Sequence, residues 1–194
     1  MVLVPDPRSD EELMAAYVAG DRAAFKLLFD RYAGLLFAMA KRRLGSDDDA
    51  RDVVQQTLLQ LHRARNDFRP GARLRPWLFT IAMNLVREQY RKRKRRREQS
   101  LETTTQPPAE PAASEVESED EHKARAARIR TALQVLPSQQ REVIELHWFE
   151  ECPYEEIARI VGASVAAVRV RAHRGYERLR EILPDLRNEA TPET

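Results

Sequence analysis

The chain has 194 residues with 33 Lys and Arg against 31 Asp and Glu, so a third of it is charged while the formal net charge is only +2. Its 42% of hydrophobic residues is enough to build a core, which excludes wholesale disorder, and 7% aromatics with 6 Gly favour helices over a strand-rich sandwich. The lone Cys152 excludes a disulfide framework, the 4 His offer no metal-ligand spacing, and no apolar run nears the roughly 18 residues of a membrane span.

In the first half, Ser9 and Glu12 stand at capping-box spacing ahead of Leu13, Met14, Tyr17 and Val18, so a helix is expected from near Asp10. Gly20 and Asp21 break it. Phe25, Leu28, Phe29, Tyr32, Leu35, Leu36 and Met39 then recur at steps of three and four, the period of an amphipathic helix ending near Gly45. Ser46 is the expected N-cap of a third helix over 47–64, with Val53, Val54, Leu58 and Leu61 inward. Asp48, Asp49, Asp52, Gln55, Gln56 and Leu59 are left more exposed. A loop over 66–75 carries Phe68, Pro70, Gly71, Arg69, Arg73 and Arg75. Pro76 suits the first turn of a fourth helix, whose apolar stripe is Trp77, Leu78, Ile81, Ala82, Leu85 and Val86. Between 87 and 97 that helix holds eight basic residues and one acid, Glu88. An end that is basic all round cannot pack on a core, so 91–97 is expected to project onto a polyanion or fray.

Residues 98–121 hold eight acids and no Lys or Arg, with TTT and PP among them. Low hydrophobicity and like charge cannot offset chain entropy, so this stretch reads as a flexible linker. Beyond it, Ala126, Ile129, Leu133 and Leu136 mark a helix from about His122. Pro137 stops that helix and Ser138 caps the next, whose face is Val143, Ile144, Leu146, His147 and Trp148. A short helix over 154–161 puts Ile157, Ala158 and Val161 inward, and Gly162 fits its C-cap. Ser164 then caps a longer helix to about Leu183 with Val165, Val168, Ala172, Tyr176, Leu179 and Leu183 inward. Two helices joined by a three-residue turn make a helix-turn-helix. The outer face of the second, Ala166, Ala167, Arg169, Val170, His173 and Arg174, is small at its start and then arginine-bearing. Such a face enters a major groove and reaches base edges. The expected architecture is all-α. Two small helical domains, 1–97 and 122–187, are joined by the acidic linker 98–121 and followed by a tail, 188–194.

Taken together, these residues resemble the extracytoplasmic-function (ECF) class of bacterial RNA polymerase sigma factors. Asp49-Ala50-Arg51-Asp52-Val53-Val54-Gln55-Gln56-Thr57-Leu58-Leu59 looks like the family's polymerase-binding helix. Trp77-Leu78-Phe79-Thr80-Ile81-Ala82-Met83-Asn84-Leu85 looks like the signature before its basic helix. Leu136-Pro137, Arg141-Glu142-Val143, Tyr154-Glu155-Glu156-Ile157-Ala158 and Val168-Arg169 with Arg171 repeat its promoter-reading domain. The resemblance implies a non-enzymatic subunit that binds core RNA polymerase, directs it to promoters and opens the DNA, with no cofactor or metal. It places polymerase contacts on Asp49, Asp52, Gln55, Gln56 and Leu59. It places minus-ten DNA contacts, with capture of a flipped base in the loop, on Phe68, Arg69, Arg73, Arg75, Asn84, Arg87, Arg91, Lys92 and Arg95. Minus-thirty-five contacts fall on Ser164, Ala167, Arg169, Val170, Arg171, His173 and Arg174. Further partners are double- and single-stranded promoter DNA and an anti-sigma factor. The location is the cytoplasm, or the membrane face where an anti-sigma factor holds the chain. Phe68 serves equally well as a simple loop anchor. Arg51 and Gln56 stand where the family often has acids, and Pro153 where it often has a Ser or Thr cap.

Two rival readings are open at this level. A helix-turn-helix regulator that acts without joining the polymerase would need a sensor pocket in the first half. An RNA-binding antiterminator would use the arginine-rich run but leave the helix-turn-helix unexplained. An enzyme would need a phosphate loop, a nucleophile motif or paired carboxylates, and none stands out.

Overall fold

The computed structural model describes residues 6–69, 71–100 and 119–184. Its helices in chain order are α1 (Asp10–Val18), α2 (Arg22–Leu44), α3 (Asp47–Arg63), α4 (Leu74–Ser100), α5 (Glu119–Val135), α6 (Ser138–Trp148), α7 (Tyr154–Val161) and α8 (Val165–Ile182), with a short 3₁₀ turn at Arg65–Asp67. No strand occurs among the described residues. The chain divides into two compact units, one carrying α1 to α4 and the other α5, α6, α8 and most of α7. Most of the expected linker, and the tail, lie outside the described residues. The helices, however, extend into the segment expected to be linker at both ends. α4 continues to Ser100 and α5 begins at Glu119. Glu98 and Gln99 are good helix formers, and acids at 119–121 suit the positive end of a helix dipole.

In the first unit the expected helix starts are realised by caps. Ser9 Oγ accepts from Glu12 N while Glu12 reaches back to Ser9 N, completing the capping box. Asp21 caps α2, and Ser46 caps α3. Glu11 on α1 accepts a hydrogen bond from the backbone N–H of Leu74 at 3.2 Å, so the start of α4 is held from another helix. Arg31 donates to Asp10 at 2.7 Å and to the carbonyls of Asp6 and Arg8, each at 2.8 Å, while Tyr32 donates to Asp10. These bonds tie the entry of α1 to α2.

The core of this unit is formed by Leu13 and Met14, Leu28, Leu36 and Met39, Leu61, and Leu74, Leu78 and Phe79, all essentially inaccessible. Two expected apolar faces are corrected here. On α2, Phe29 and Leu35 are exposed, and Ala24, Ala40 and Leu44 take buried places instead. On α4, Trp77, Ile81 and Leu85 are only half-buried, whereas Phe79 and Met83 join Leu78, Ala82 and Val86 inside. α4 packs against α1, α2 and α3, so its buried face is wider than one stripe and turned from the sequence-based phase. Thr57, also unforeseen, is buried because its hydroxyl donates to the carbonyl of Val53 at 2.7 Å.

In the second unit Leu133, Leu136 and Ile144 form a buried cluster against which Ile129, Tyr176 and Leu179 pack. Ala126 is exposed, and Ala132 is buried in its stead. Ser138 is the first residue of α6 and not its cap, since Pro137 stands at the N-cap with no side-chain bond. Trp148, expected inward, is 64% exposed. It closes α6 by laying its indole across the surface, where Nε1 donates to the Tyr176 hydroxyl at 2.7 Å. Ile160, with Val161 only half-buried, completes the inner face of α7.

Gly175 has a packing reason. A Cβ there would stand 2.5 Å from Cδ1 of the buried Ile144, so that side chain would have to shift to admit even a methyl group. Gly175→Leu is expected to destabilise the second unit by about 1–3 kcal/mol through overpacking, read as a lower urea midpoint.

Burial also raises the Tyr176 hydroxyl, from 10.0 to about 12. The phenolate is disfavoured only in the folded chain. The associated stability is therefore complete below pH 10.0 and is lost as pH rises through about 12. Urea midpoints taken across that window are expected to fall for the parent chain and to fall less for Tyr176→Phe.

Candidate DNA and polymerase interfaces

The helix-turn-helix is built as its sequence predicts. α7 starts at Pro153, whose carbonyl accepts from Glu156 N at 2.9 Å and Ile157 N at 3.0 Å. Gly162 ends α7 and opens the turn at φ +67, a conformation that costs glycine little. Ser164 Oγ then accepts from Ala167 N at 3.2 Å. The cap sets the phase of α8. Val168, Ala172 and Gly175 point inward, and Arg169, Val170, His173 and Arg174 are exposed in one continuous row.

Each residue expected at the upstream element has a definite place. Ser164 uses its side chain on the cap, leaving the residue itself exposed. Arg169 stands 3.7 Å from Glu155, an exposed pair of the kind worth about 0–1 kcal/mol and readily surrendered to a phosphate or a base, and His173 lies 3.9 Å from Glu177. Arg171 and Ala167 are half-buried. With Ala166, Val170 and Arg174 they line an open groove of about 650 Å³ that is bounded on its other side by Gln139 and Gln140 at the start of α6. Those glutamines were not foreseen, because no local pattern links α6 to the outer face of α8.

On α3, Asp52, Gln55 and Gln56 are exposed as expected, and Leu59 is half-buried. Gln55 and Leu59 lie along an apolar groove of about 750 Å³ between α2 and α3, lined also by Phe25, Phe29, Phe37 and Leu58. Periodicity had assigned Phe25 and Phe29 to the core. Their position here makes the α3 face more apolar than its acids imply. Arg51 is engaged by Asp48 at 2.8 Å on the surface. Asp49 departs from the expectation of a solvent-facing acid: it is half-buried and bound by Arg93 of α4.

The loop before α4 and the helix itself carry the remaining residues. Phe68 packs on Trp77 with ring centroids 5.4 Å apart. Arg69 and Arg73 are exposed at its rim. Arg75 lies in the first turn of α4 and not in the loop, its guanidinium 5.7 Å from the ring of Phe79. Asn84 is exposed and accepts from Arg87 at 3.0 Å. Arg91, Lys92 and Arg95 face solvent, with Lys92 2.8 Å from Glu88. The hydrogen bond from Lys92 holds the Glu88 carboxyl below its ordinary range. Arg93 does not project as its neighbours do, and turns back onto α2 and α3.

Among the described residues no group of His, Cys, Asp and Glu could hold a metal ion, and no helix is long and apolar enough to cross a membrane.

Comparison with known proteins agrees with this geometry. Residues 28–96 match the Sigma-70 region 2 family, and residues 126–179 match the Sigma-70, region 4 family. The RNA polymerase sigma factor CarQ of Myxococcus xanthus is 35% identical over 173 residues, covering 89% of this chain and 97% of CarQ. The solved structure of CnrH in complex with the cytosolic domain of CnrY superposes with a TM-score of 0.68 at 29% identity, over 92% of this chain and 99% of CnrH. RpoE of Bartonella quintana, solved with the anti-sigma factor NepR, gives 0.64 at 30% identity, over 82% of this chain and 96% of RpoE. The two matched regions follow the order in which α1 to α4 and α5 to α8 carry the basic helix and the helix-turn-helix, which sets aside a regulator that works apart from the polymerase. The chain belongs to the ECF class of RNA polymerase sigma factors, the subunits that direct the polymerase to promoters.

Proposed function

We propose that the two units divide promoter recognition between them, the first (1–97) joining the polymerase and engaging the minus-ten element and the second (122–187) reading the minus-thirty-five element. The observation that carries this reading is the exposed row Arg169, Val170, His173 and Arg174 on a helix whose phase is fixed by the Ser164 cap. An arginine fork on such a row pairs with guanine in the major groove, and the small Ala166 at its start allows close approach. In the first unit, Asp52, Gln55, Gln56 and Leu59 offer a polar rim and an apolar groove to the polymerase. The exposed Arg91, Lys92 and Arg95 offer charge to promoter phosphates.

Activity of this kind needs no catalytic group of its own and is placed in the cytoplasm. CnrH and RpoE were solved with protein partners, an anti-sigma factor in the case of RpoE, and this chain is proposed to be held by an anti-sigma factor in the same manner. Transcription in vitro with purified core polymerase on a library of promoter templates tests the reading. Initiation from a shared subset of templates is expected, and initiation from none would overturn it.

A further inference from the structure

Tyr90 and Arg93 fasten the basic end of α4 to the junction between α2 and α3. The Tyr90 hydroxyl donates to the carbonyl of Arg43. Arg93 donates through Nη1 to the carbonyl of Leu44 at 2.6 Å and through Nη2 to the carboxylate of Asp49. The three acceptors flank the turn at Gly45 that joins α2 to α3. Two of them are last-turn carbonyls of α2, which have no partner within their own helix and carry the negative end of its dipole. The third is the carboxylate of an acid in the first turn of α3. A planar guanidinium with donors in fixed directions suits the bridging of a carbonyl and a carboxylate at once, and a lysine ammonium does not.

The consequence is rotational. At 3.6 residues per turn, Arg91 and Arg95 lie about 160° around the helix from Arg93, one on either side. Holding Arg93 against α2 and α3 therefore turns Arg91 and Arg95 directly away from the protein, and both are exposed. We propose that Asp49, Tyr90 and Arg93 form a positioning bracket that sets the rotation of the basic helix toward promoter phosphates. Asp49 acts through Arg93 and is not a polymerase contact. The proposal rests on the minus-ten role given to Arg91, Lys92 and Arg95.

The test uses the full chain with saturating core polymerase, following opening of the minus-ten element by 2-aminopurine fluorescence across a salt series, with core affinity and thermal melting measured alongside. Arg93→Lys keeps the charge and loses the fork. It is expected to slow opening by about tenfold, less than the roughly hundredfold that an ångström's misplacement of a working group can cost. It should also make the salt dependence shallower by about one phosphate contact, roughly 0.7 to 0.9 in slope, because Arg91 and Arg95 no longer reach together. Asp49→Asn is expected to match it, and the double variant to lose little more, as for residues of one unit. Tyr90→Phe gives a smaller loss in the same direction with the fold intact. Core affinity should stay within about twofold throughout, a change under 0.5 kcal/mol.

Three results would overturn the bracket. Arg93→Lys opening DNA normally with an unchanged salt slope would make the arginine structural or a plain phosphate contact. Asp49→Asn speeding opening would mean that Arg93 is restrained, not positioned, by its partner. Asp49→Asn weakening core binding about tenfold while Arg93→Lys does not would return Asp49 to the polymerase surface, a loss of 1.4 kcal/mol. A parent chain that binds core but opens no template would fail in every arm, which overturns the minus-ten role and the bracket with it.

Discussion

Replacing Arg169 and Arg174 together with alanine is expected to weaken recognition of the upstream promoter element by about 2–6 kcal/mol, at about 1–3 kcal/mol for each base-reading arginine. Both side chains are exposed on α8 in the phase set by the Ser164 cap, so the substitutions remove no core contact. Competition binding of the polymerase complex to templates altered base by base in the upstream element measures the effect. Loss of discrimination at particular positions is the expected outcome. A uniform loss on every template, with the salt slope falling by about one per arginine, would reassign these residues to phosphate contact. The exposed pair with Glu155 is too weak to offset the loss, since surface ion pairs contribute about 0–1 kcal/mol.

Phe79→Ala is expected to destabilise the first unit by about 3–5 kcal/mol, a large share of the 5–15 kcal/mol that ordinarily holds a domain together. Phe79 is fully buried in α4 beneath Arg75, so its removal opens a cavity and withdraws the ring over which that guanidinium lies. In urea denaturation of the full chain followed by circular dichroism, an early transition should separate, displaced by about 2 M for a slope near 2 kcal/mol/M. Trp77→Ala, at the half-buried neighbouring position, is expected to cost less while freeing Phe68 and the loop. An unchanged midpoint for Phe79→Ala would contradict the packing of α4 described above.

These two experiments fall on opposite sides of what a sequence can disclose. The α8 face was legible because its determinants are local. A serine cap fixes where the helix starts, 3.6 residues per turn fixes the phase, and glycine at positive φ fixes the turn before it. The same holds for the capping box at Ser9 and Glu12 and for the starts of α2 and α3. The face of α4 was not legible in that way. Trp77 and Phe79 are both large and apolar and stand two positions apart, and only packing against α1, α2 and α3 together decides which is enclosed.

Periodicity likewise places the groove residues in the core. Phe25 and Phe29 satisfy the period of a buried stripe, yet they line an open apolar groove beside α3, because among the described residues no element of the first unit covers that flank of α2. Trp148 has the hydrophobicity of a core residue but stands at the end of α6, where its indole N–H has a hydroxyl partner on the surface.

By itself, the amino-acid sequence determined that this is an all-α chain with a helix-turn-helix, two strongly basic helices and an acid-rich stretch between them, whose near cancellation produces the net charge of +2. Caps, periodicity and charge blocks act over a few residues and can be read directly. Only the tertiary structure decided which charges are available to a partner. Arg91, Arg93 and Arg95 are chemically identical and lie within one run, but the carbonyls at the end of α2 and the carboxylate of Asp49 turn the middle one inward and leave the other two facing solvent. That choice is made by groups more than 40 residues away in the chain, at separations of 44 and 49 positions, where no local pattern reaches.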